Sequence, residues 1–445
     1  MQKTGLPVNP ADGAARPLNS RFLVLAGLII GLVLLGLLTF NGGLIVLSLP
    51  LVVYLGATLL HRPPALDLGA ERMVSMGLTK QFEPVTVRLV ITNYGSALDE
   101  VVIEDALPVG LQLLDGKTSL LTSLPKGAQA VLEYTVKGGR GSYTFGDVMV
   151  SAAEHLGVMR RRTSLNTRYK LIYLPDLTPL RRVAIRPQRT HGHFGPIPSR
   201  KSGSGVDFIG LREYHMGDPR RWINWRASAR YEHQLHVNQF ELERIADVGI
   251  ILDARRQSNI ELEGGPSLFE YCVQAAGSLS QALLDEGNRV GLLVYGFGME
   301  RVFPGYGKVQ QERIVYALGQ ARTGHNFALE SLGYLPTRFF PTGSQIIMVS
   351  PLLETDVPAF TQLRACGYEV MLVSPDPVSF EARVLDLQDD LSYQIARSER
   401  ALLLRKIQRL GIRILDWNVE RPFEPMVRAS FSRVSPGVRL RGVMR

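Results

Sequence analysis

Hydrophobic positions change rhythm several times along the chain, and each change predicts a different kind of element. Phe22–Phe40 (FLVLAGLIIGLVLLGLLTF) is a 19-residue run without a charge, and after Asn41-Gly42-Gly43, Leu44–Leu60 adds 17 more uncharged residues. Such runs approach the roughly 20 residues a helix needs to cross a bilayer core. The second carries Pro50, which a membrane helix tolerates where neighbours satisfy the freed carbonyl. The expectation is a transmembrane helical hairpin within residues 1–63. Lys3, Arg16 and Arg21 precede the pair, His61 and Arg62 follow it, and the connecting turn is uncharged. The positive-inside rule then puts both ends in the cytoplasm. This predicts a multi-pass protein of the cell membrane, with the lipid bilayer as one partner and its remaining domains cytoplasmic.

From Leu66 to Leu177 the period shortens to two. PVTVRLVITN (Pro84–Asn93) alternates apolar and polar residues, and VVIEDAL, AVLEYTVKG, SYTFGDVMVSA and YKLIYLP follow between Gly, Pro, Asp and Asn. Short strands at this spacing predict an Ig-like β-sandwich over residues 66–177. Residues 178–205 hold Arg181, Arg182, Arg186, Arg189, Arg200 and Lys201 with no acid, and are read as a basic linker. Beyond a helix-plus-strand segment at 206–246, residues 247–420 alternate strands and helices. VGIILD (Val248–Asp253), VGLLVYG, IIMVS, VMLVS and IRILDW are continuous apolar runs, as strands buried on both faces require. A doubly wound, largely parallel α/β sheet is the expectation. Residues 421–445, rich in arginine, are read as a loose basic tail.

Charge narrows the partners only a little. Lys and Arg number 50 against 41 Asp and Glu, a surplus of +9, which fits an anionic partner without choosing one. Two cysteines, Cys272 and Cys366, both in apolar helical stretches, exclude a disulfide framework and fit buried, reduced thiols. There is no GxxxxGK[ST], HExxH or GxSxG, so the sequence carries no phosphate loop, zinc-protease helix or nucleophile elbow.

The richest chemistry lies in GLREYHMGDPRRWINWRASARYEHQLH, from Gly210 to His236. Asp218 followed by Pro219 reads as an N-cap and first helical position, starting a helix that runs to about Arg230. That helix would be clamped by Trp222 and Trp225 and by arginines paired to Glu213 and Asp218. Arg212, Glu213, Tyr214, Gly217, Asp218, Arg221, Trp222, Trp225 and Arg230 are therefore read as a structural latch or partner surface with no catalytic role. Two other classes compete. One is a hydrolase built on Asp218, His215 and the arginines; the other is a basic module for single-stranded nucleic acid, for which arginines among aromatics are suited. The interspersed acids count against nucleic acid, which is not expected as a partner.

Two resemblances add to this. The α/β part resembles a von Willebrand factor A domain, whose metal-ion-dependent adhesion site uses Asp-x-Ser-x-Ser after the first strand, a Thr from a second loop and an Asp after a later strand. The matching positions here are Asp253, Arg255 and Gln257, then Asn326, then Ser350. Only the first aspartate survives, and Arg255 would set a fixed positive charge where the cation belongs. No metal or other cofactor is expected, and a guanidinium paired with Asp253 would replace the ion. These five residues are read as an interaction surface at the carboxyl end of the sheet. The stretch GSGVDFIGLREYHMGDPRRWINWRASARYEHQLHVNQFELER resembles the hallmark of the domain of unknown function 58 family. That resemblance implies a non-enzymatic adaptor partnered by a MoxR-type AAA+ ATPase in assembling or maturing other complexes. Its client is not implied.

Overall fold

The computed structural model describes residues 20–60, 66–153, 160–181, 183, 185, 202–230, 234–241, 245–261, 265–296, 298–324, 332, 340–385 and 391–432. They divide into two units, Met1–Leu174 and Pro175–Arg445.

In the first unit the two uncharged runs form helices Ser20–Leu38 and Gly42–Leu60. They pair through a tight turn in which the Gly43 amide donates to Asn41 Oδ1 at 3.0 Å. Gly36 permits their approach, because a Cβ there would meet Ile45 Cγ1 at 2.7 Å. The expected transmembrane hairpin is nevertheless overturned: among the described residues no helix is long and apolar enough to cross a membrane. Each helix has 19 residues, a rise of about 28 Å against a hydrocarbon core of about 30 Å. Pro50 also removes a hydrogen bond from the second. The assignment to the cell membrane as a two-helix protein falls with the hairpin, and the bilayer loses its support as a partner.

The rest of this unit is sheet, antiparallel except where Leu78–Lys80 pairs parallel with Tyr169–Leu174. One four-stranded sheet runs in the order Leu68–Val74, Val85–Asn93, Gln129–Gly138, Leu111–Gly116. A second runs Arg160–Leu165, Val148–Ala153, Leu98–Glu104, Ser119–Leu124. Alternation decides the facing surfaces: Val85, Val87, Leu89 and Ile91 of one sheet share a core with Val101, Ile103, Val148 and Val150 of the other. A buried ion pair ties this core. Arg72 Nη2 lies 2.6 Å from Asp105 Oδ1, Arg72 Nη1 donates to the carbonyls of Thr167 and Gly146, and Tyr134 donates to Asp105 Oδ2 at 2.7 Å. Burial first, and then the neighbouring carboxylate, hold the Tyr134 phenol above its ordinary pKa.

The second unit is built on a six-stranded sheet. Its order is Met299–Gly305, Arg289–Gly296, Asp247–Ala254, Gln345–Val349, Glu369–Pro375, Arg413–Trp417. All neighbours are parallel except the first pair. Because both faces are covered, Asp247–Ala254 is buried at every position. Val248, Ile250 and Leu252 face the helix Leu268–Asp285, whereas Ile251 joins the opposite core with Phe360, Leu404 and Ile407. The antiparallel strand Met299–Gly305 has no apolar run to announce it, and Pro304 within it is acceptable only at an edge.

Three sequence readings change here. Phe423–Ser432, taken as the start of a loose tail, is a helix whose Phe423 and Val427 are buried in the core. Residues beyond it lie outside the described set. Val183 and Ile185, taken as linker, are buried in that same core, and the Val183 amide donates to Glu286 Oε1. Of the two cysteines only Cys272 is buried, and burial pushes its thiol pKa up; Cys366 is exposed at a helix end.

Candidate functional site

Two constellations carry the unusual chemistry of the second unit. The first is built on a hairpin in which Ser202–Glu213 pairs antiparallel with His236–Glu241, aligning Arg212 with Val237 and Glu213 with His236. Leaving this strand, the chain turns at Gly217, whose φ of +107° favours glycine. Asp218 closes the turn. It accepts Arg212 Nη1 at 2.8 Å, Arg212 Nη2 at 2.6 Å and the His215 amide at 2.9 Å. These bonds, the arginine first, hold its carboxyl down to about 2.

The expected helix from Asp218 to Arg230 is not formed, and Asp218 is not its cap. A 3-10 turn, Arg220–Trp222, ends at an extended Ile223 that bridges to Val237. Asn224 donates its amide to His236 O at 2.8 Å, and its side chain caps the one-turn helix Trp225–Ser228 through the Ala227 amide. Pairing with the strand demands an extended residue where a continuous helix would run, and the pairing wins. The latch is therefore Ile223, Asn224 and Ser228, with Asn224 Nδ2 donating to Asn238 Oδ1 and the His236 amide donating to Ser228 Oγ. Sequence reasoning missed these residues, although an Asn is itself a cap signal.

The clamp assigned to the tryptophans also fails. Trp225 is 68% exposed, Trp222 is half-buried, and Arg221 and Arg230 are exposed. Met216, on the same segment, is fully exposed. Tyr214 is half-buried, its amide bonded to Leu235 O at 2.8 Å. Glu213 contributes its carbonyl to Arg212, while its side chain is exposed. As a general base the Asp218 carboxylate is spent. The Asp218 carboxylate is occupied by three donors, and His215 Nδ1 already faces Glu213 O at 3.0 Å and Arg212 Nη1 at 3.1 Å.

The second constellation lies at the carboxyl end of the sheet. Asp253 ends one strand, Ser350 follows the next, and Asp356 begins the helix Val357–Ala365. Arg255 stands between the carboxylates. Its Nε and Nη2 donate to Asp253 at 2.9 and 2.8 Å, and its Nη1 and Nη2 donate to Asp356 at 2.9 and 2.8 Å. Ser350 Oγ donates to Asp253 Oδ2 at 2.6 Å, and the Leu353 amide donates to Asp356 Oδ2 at 2.8 Å. All four side chains are buried. Burial works against the arginine's charge, but the two carboxylates outweigh it and hold the guanidinium above its ordinary pKa. Leu352 adopts a left-handed φ of +71° beside Ser350, a costly conformation for a leucine that its amide bond to Ser350 Oγ supports.

Of the residues predicted at this end, Asp253, Arg255 and Ser350 come together; Gln257 is exposed, and Asn326 lies outside the described residues. Asp356 was missed. A cation does not fit among these side chains, because the guanidinium already fills the space between the carboxylates that would have to ligate it. Among the described residues no group of three or more His, Cys, Asp or Glu is placed to hold a metal ion.

The class is thus an α/β-sheet protein with a buried arginine between two aspartates at the sheet's carboxyl end, preceded by a loop locked by an arginine–aspartate pair. Residues 210–399 match the family described as "Protein of unknown function DUF58". No curated protein matches the chain. Solved structures similar to parts of it include the CARDB domain of a Pyrococcus furiosus protein, at 14% identity over 24% of this chain and 91% of that one with a TM-score of 0.17. A FixG-related protein from Vibrio parahaemolyticus matches at 10% identity over 24% and 95%, TM-score 0.17. A PapD-like domain of human CEP192 matches at 14% identity over 25% and 90%, TM-score 0.18. Scores this low carry no argument.

Proposed function

We propose that the chain is a protein-interaction adaptor whose contact surface is the 210–230 loop, and that its partner is a MoxR-type AAA+ ATPase. The observation that carries this reading is Trp225, 68% exposed, on the same bonded loop as a fully exposed Met216. Tryptophan, methionine and arginine are enriched at the centres of protein interfaces, and a preformed loop loses little conformational entropy on binding. Arg220, Arg221, Arg226 and Arg230 are all exposed on the same segment and complement an acidic partner face. The ATPase partner and a role in assembling or maturing other complexes rest on the family resemblance. A von Willebrand factor A-like sheet is supported by the strand order and by the placing of Asp253. The spent carboxylate of Asp218 disfavours the hydrolase reading.

The test is binding of the full chain to a purified MoxR-type AAA+ ATPase. Trp225→Ala with Met216→Ala should weaken binding by about 2 kcal/mol or more, as a hot spot does, while leaving the melting temperature unchanged. Equal binding by wild type and variant would remove the surface from the proposal. Strongly salt-dependent binding to oligonucleotides in place of the ATPase would replace it with the nucleic-acid reading.

A further inference from the structure

A groove apart from both constellations lies beside the last strand of the six-stranded sheet. Arg413–Trp417 pairs with Glu369–Pro375 on one side only, and among the described residues no strand covers its other edge. The groove has a volume of about 490 Å³. One wall is a stripe of the helix Leu391–Arg409, from Arg397 through Ala401 and Arg405 to Gln408, residues spaced to share a face. That stripe runs for roughly 16 Å. Ile414, Asp416 and Asn418, alternate positions on one face of the strand and its continuation, form the floor, and Arg421 and Met426 close the far side.

The charges in this groove do not cancel. Arg400 is buried and fully engaged: Nε lies 3.0 Å from Asp376 Oδ1, Nη2 lies 2.6 Å from Asp416 Oδ1, and Nη1 donates to Pro351 O at 3.1 Å. It is thus shared between the two carboxylates. Arg397, Arg405 and Arg421 are exposed, and their guanidinium groups make no ion pair among the described residues. Four arginines against two aspartates leave the lining with a surplus of two positive charges, and Arg397, Arg405 and Arg421 present it along an open strand edge. An unpaired edge offers backbone donors and acceptors in the spacing of another strand, and the groove's length suits about five extended residues.

We propose that this edge is a docking site for an extended acidic peptide segment of a partner protein, which adds as a strand to Arg413–Trp417 and sets its carboxylates against Arg397, Arg405 and Arg421. This surface is separate from the 210–230 loop. The probe is a fluorescein-labelled peptide alternating valine and glutamate, titrated into the full chain and read by anisotropy. It should bind saturably, and a peptide with lysine for glutamate should not. Arg405→Glu with Arg421→Glu should weaken binding at least about tenfold without moving the melting temperature. Arg397→Gln provides a milder variant should the double one fold poorly. Methylating one alternate set of peptide amide nitrogens should abolish binding, and methylating the other should not, because only one set faces the edge. Binding indifferent to the arginine variants, or to both methylation patterns, overturns the proposal. So does displacement of the peptide by an equal concentration of inorganic phosphate, which would mark a site for small anions.

Discussion

Replacing Arg255 with methionine isolates the electrostatics of the sheet's carboxyl end. The substitution keeps most of the side chain's volume and removes four charged hydrogen bonds, at 2.8 to 2.9 Å, to two carboxylates that are about 1% exposed. Breaking a buried ion pair by removing one partner costs about 3–5 kcal/mol, because a charge is left buried without compensation. Here two carboxylates are stranded instead of one, which puts the loss at the upper end of that range. For a unit of this size each kcal/mol moves the melting temperature by about 2–4 °C, so the variant should melt roughly 10–20 °C below wild type. The assay is thermal unfolding of the full chain by circular dichroism and calorimetry, which separates the transitions of the two units. Adding Asp253→Asn and Asp356→Asn to Arg255→Met removes both stranded charges and should recover more than half of the loss. If Arg255→Met melts within a few degrees of wild type, or the triple variant is less stable than the single, the buried charge cluster is not what holds this end of the sheet.

Trp225→Ala should change stability by less than about 1 kcal/mol, since the ring is mostly exposed; a thermal melt checks this, and a loss of the 3–5 kcal/mol typical of a buried tryptophan would contradict it. Asp218 is held at about 2, below its ordinary value, so the stabilisation it gives the loop is present above the unfolded carboxyl pKa near 3.9 and is lost as pH falls through about 2. Carboxyl-detected NMR titration should find the Asp218 midpoint near 2, and a midpoint at 4 would mean that the Arg212 pair does not form in solution. Calorimetry of the full chain should show no saturable magnesium or manganese binding below millimolar concentrations. A stoichiometric site lost on Asp253→Ala would show that Arg255 yields its place to a cation.

The sheet of the second unit was legible because its strands are wholly apolar, and VGIILD can be nothing but a strand or a buried helix segment too short to be one. Legible too was the pairing of Asp253 with Arg255, two residues apart. Asp356 was not, since it lies 101 positions from Arg255 and meets it only when two strand-end loops converge. An aspartate just before Val357-Pro358 at a helix start was the available signal. The 218–230 helix was misread because local capping signs favoured it, while the Ile223–Val237 bridge that breaks it is a tertiary contact. The tail helix was hidden by the arginines in and around it, Arg421, Arg428 and Arg433, although Phe423, Met426 and Val427 already carried helical spacing. The membrane hairpin was inferred from hydropathy over runs whose helical rise falls just short of a span.

The central claim is that the 210–230 loop is a rigid surface for another protein, and site-specific photocrosslinking tests it most directly. A photoreactive amino acid at position 225 or 216 of the full chain, mixed with a purified MoxR-type AAA+ ATPase, should give a defined adduct, and the same group at Leu114, exposed in the other unit, should give none. Adducts equally abundant from all three positions, or absent from the loop positions while the two proteins still co-purify, would contradict it.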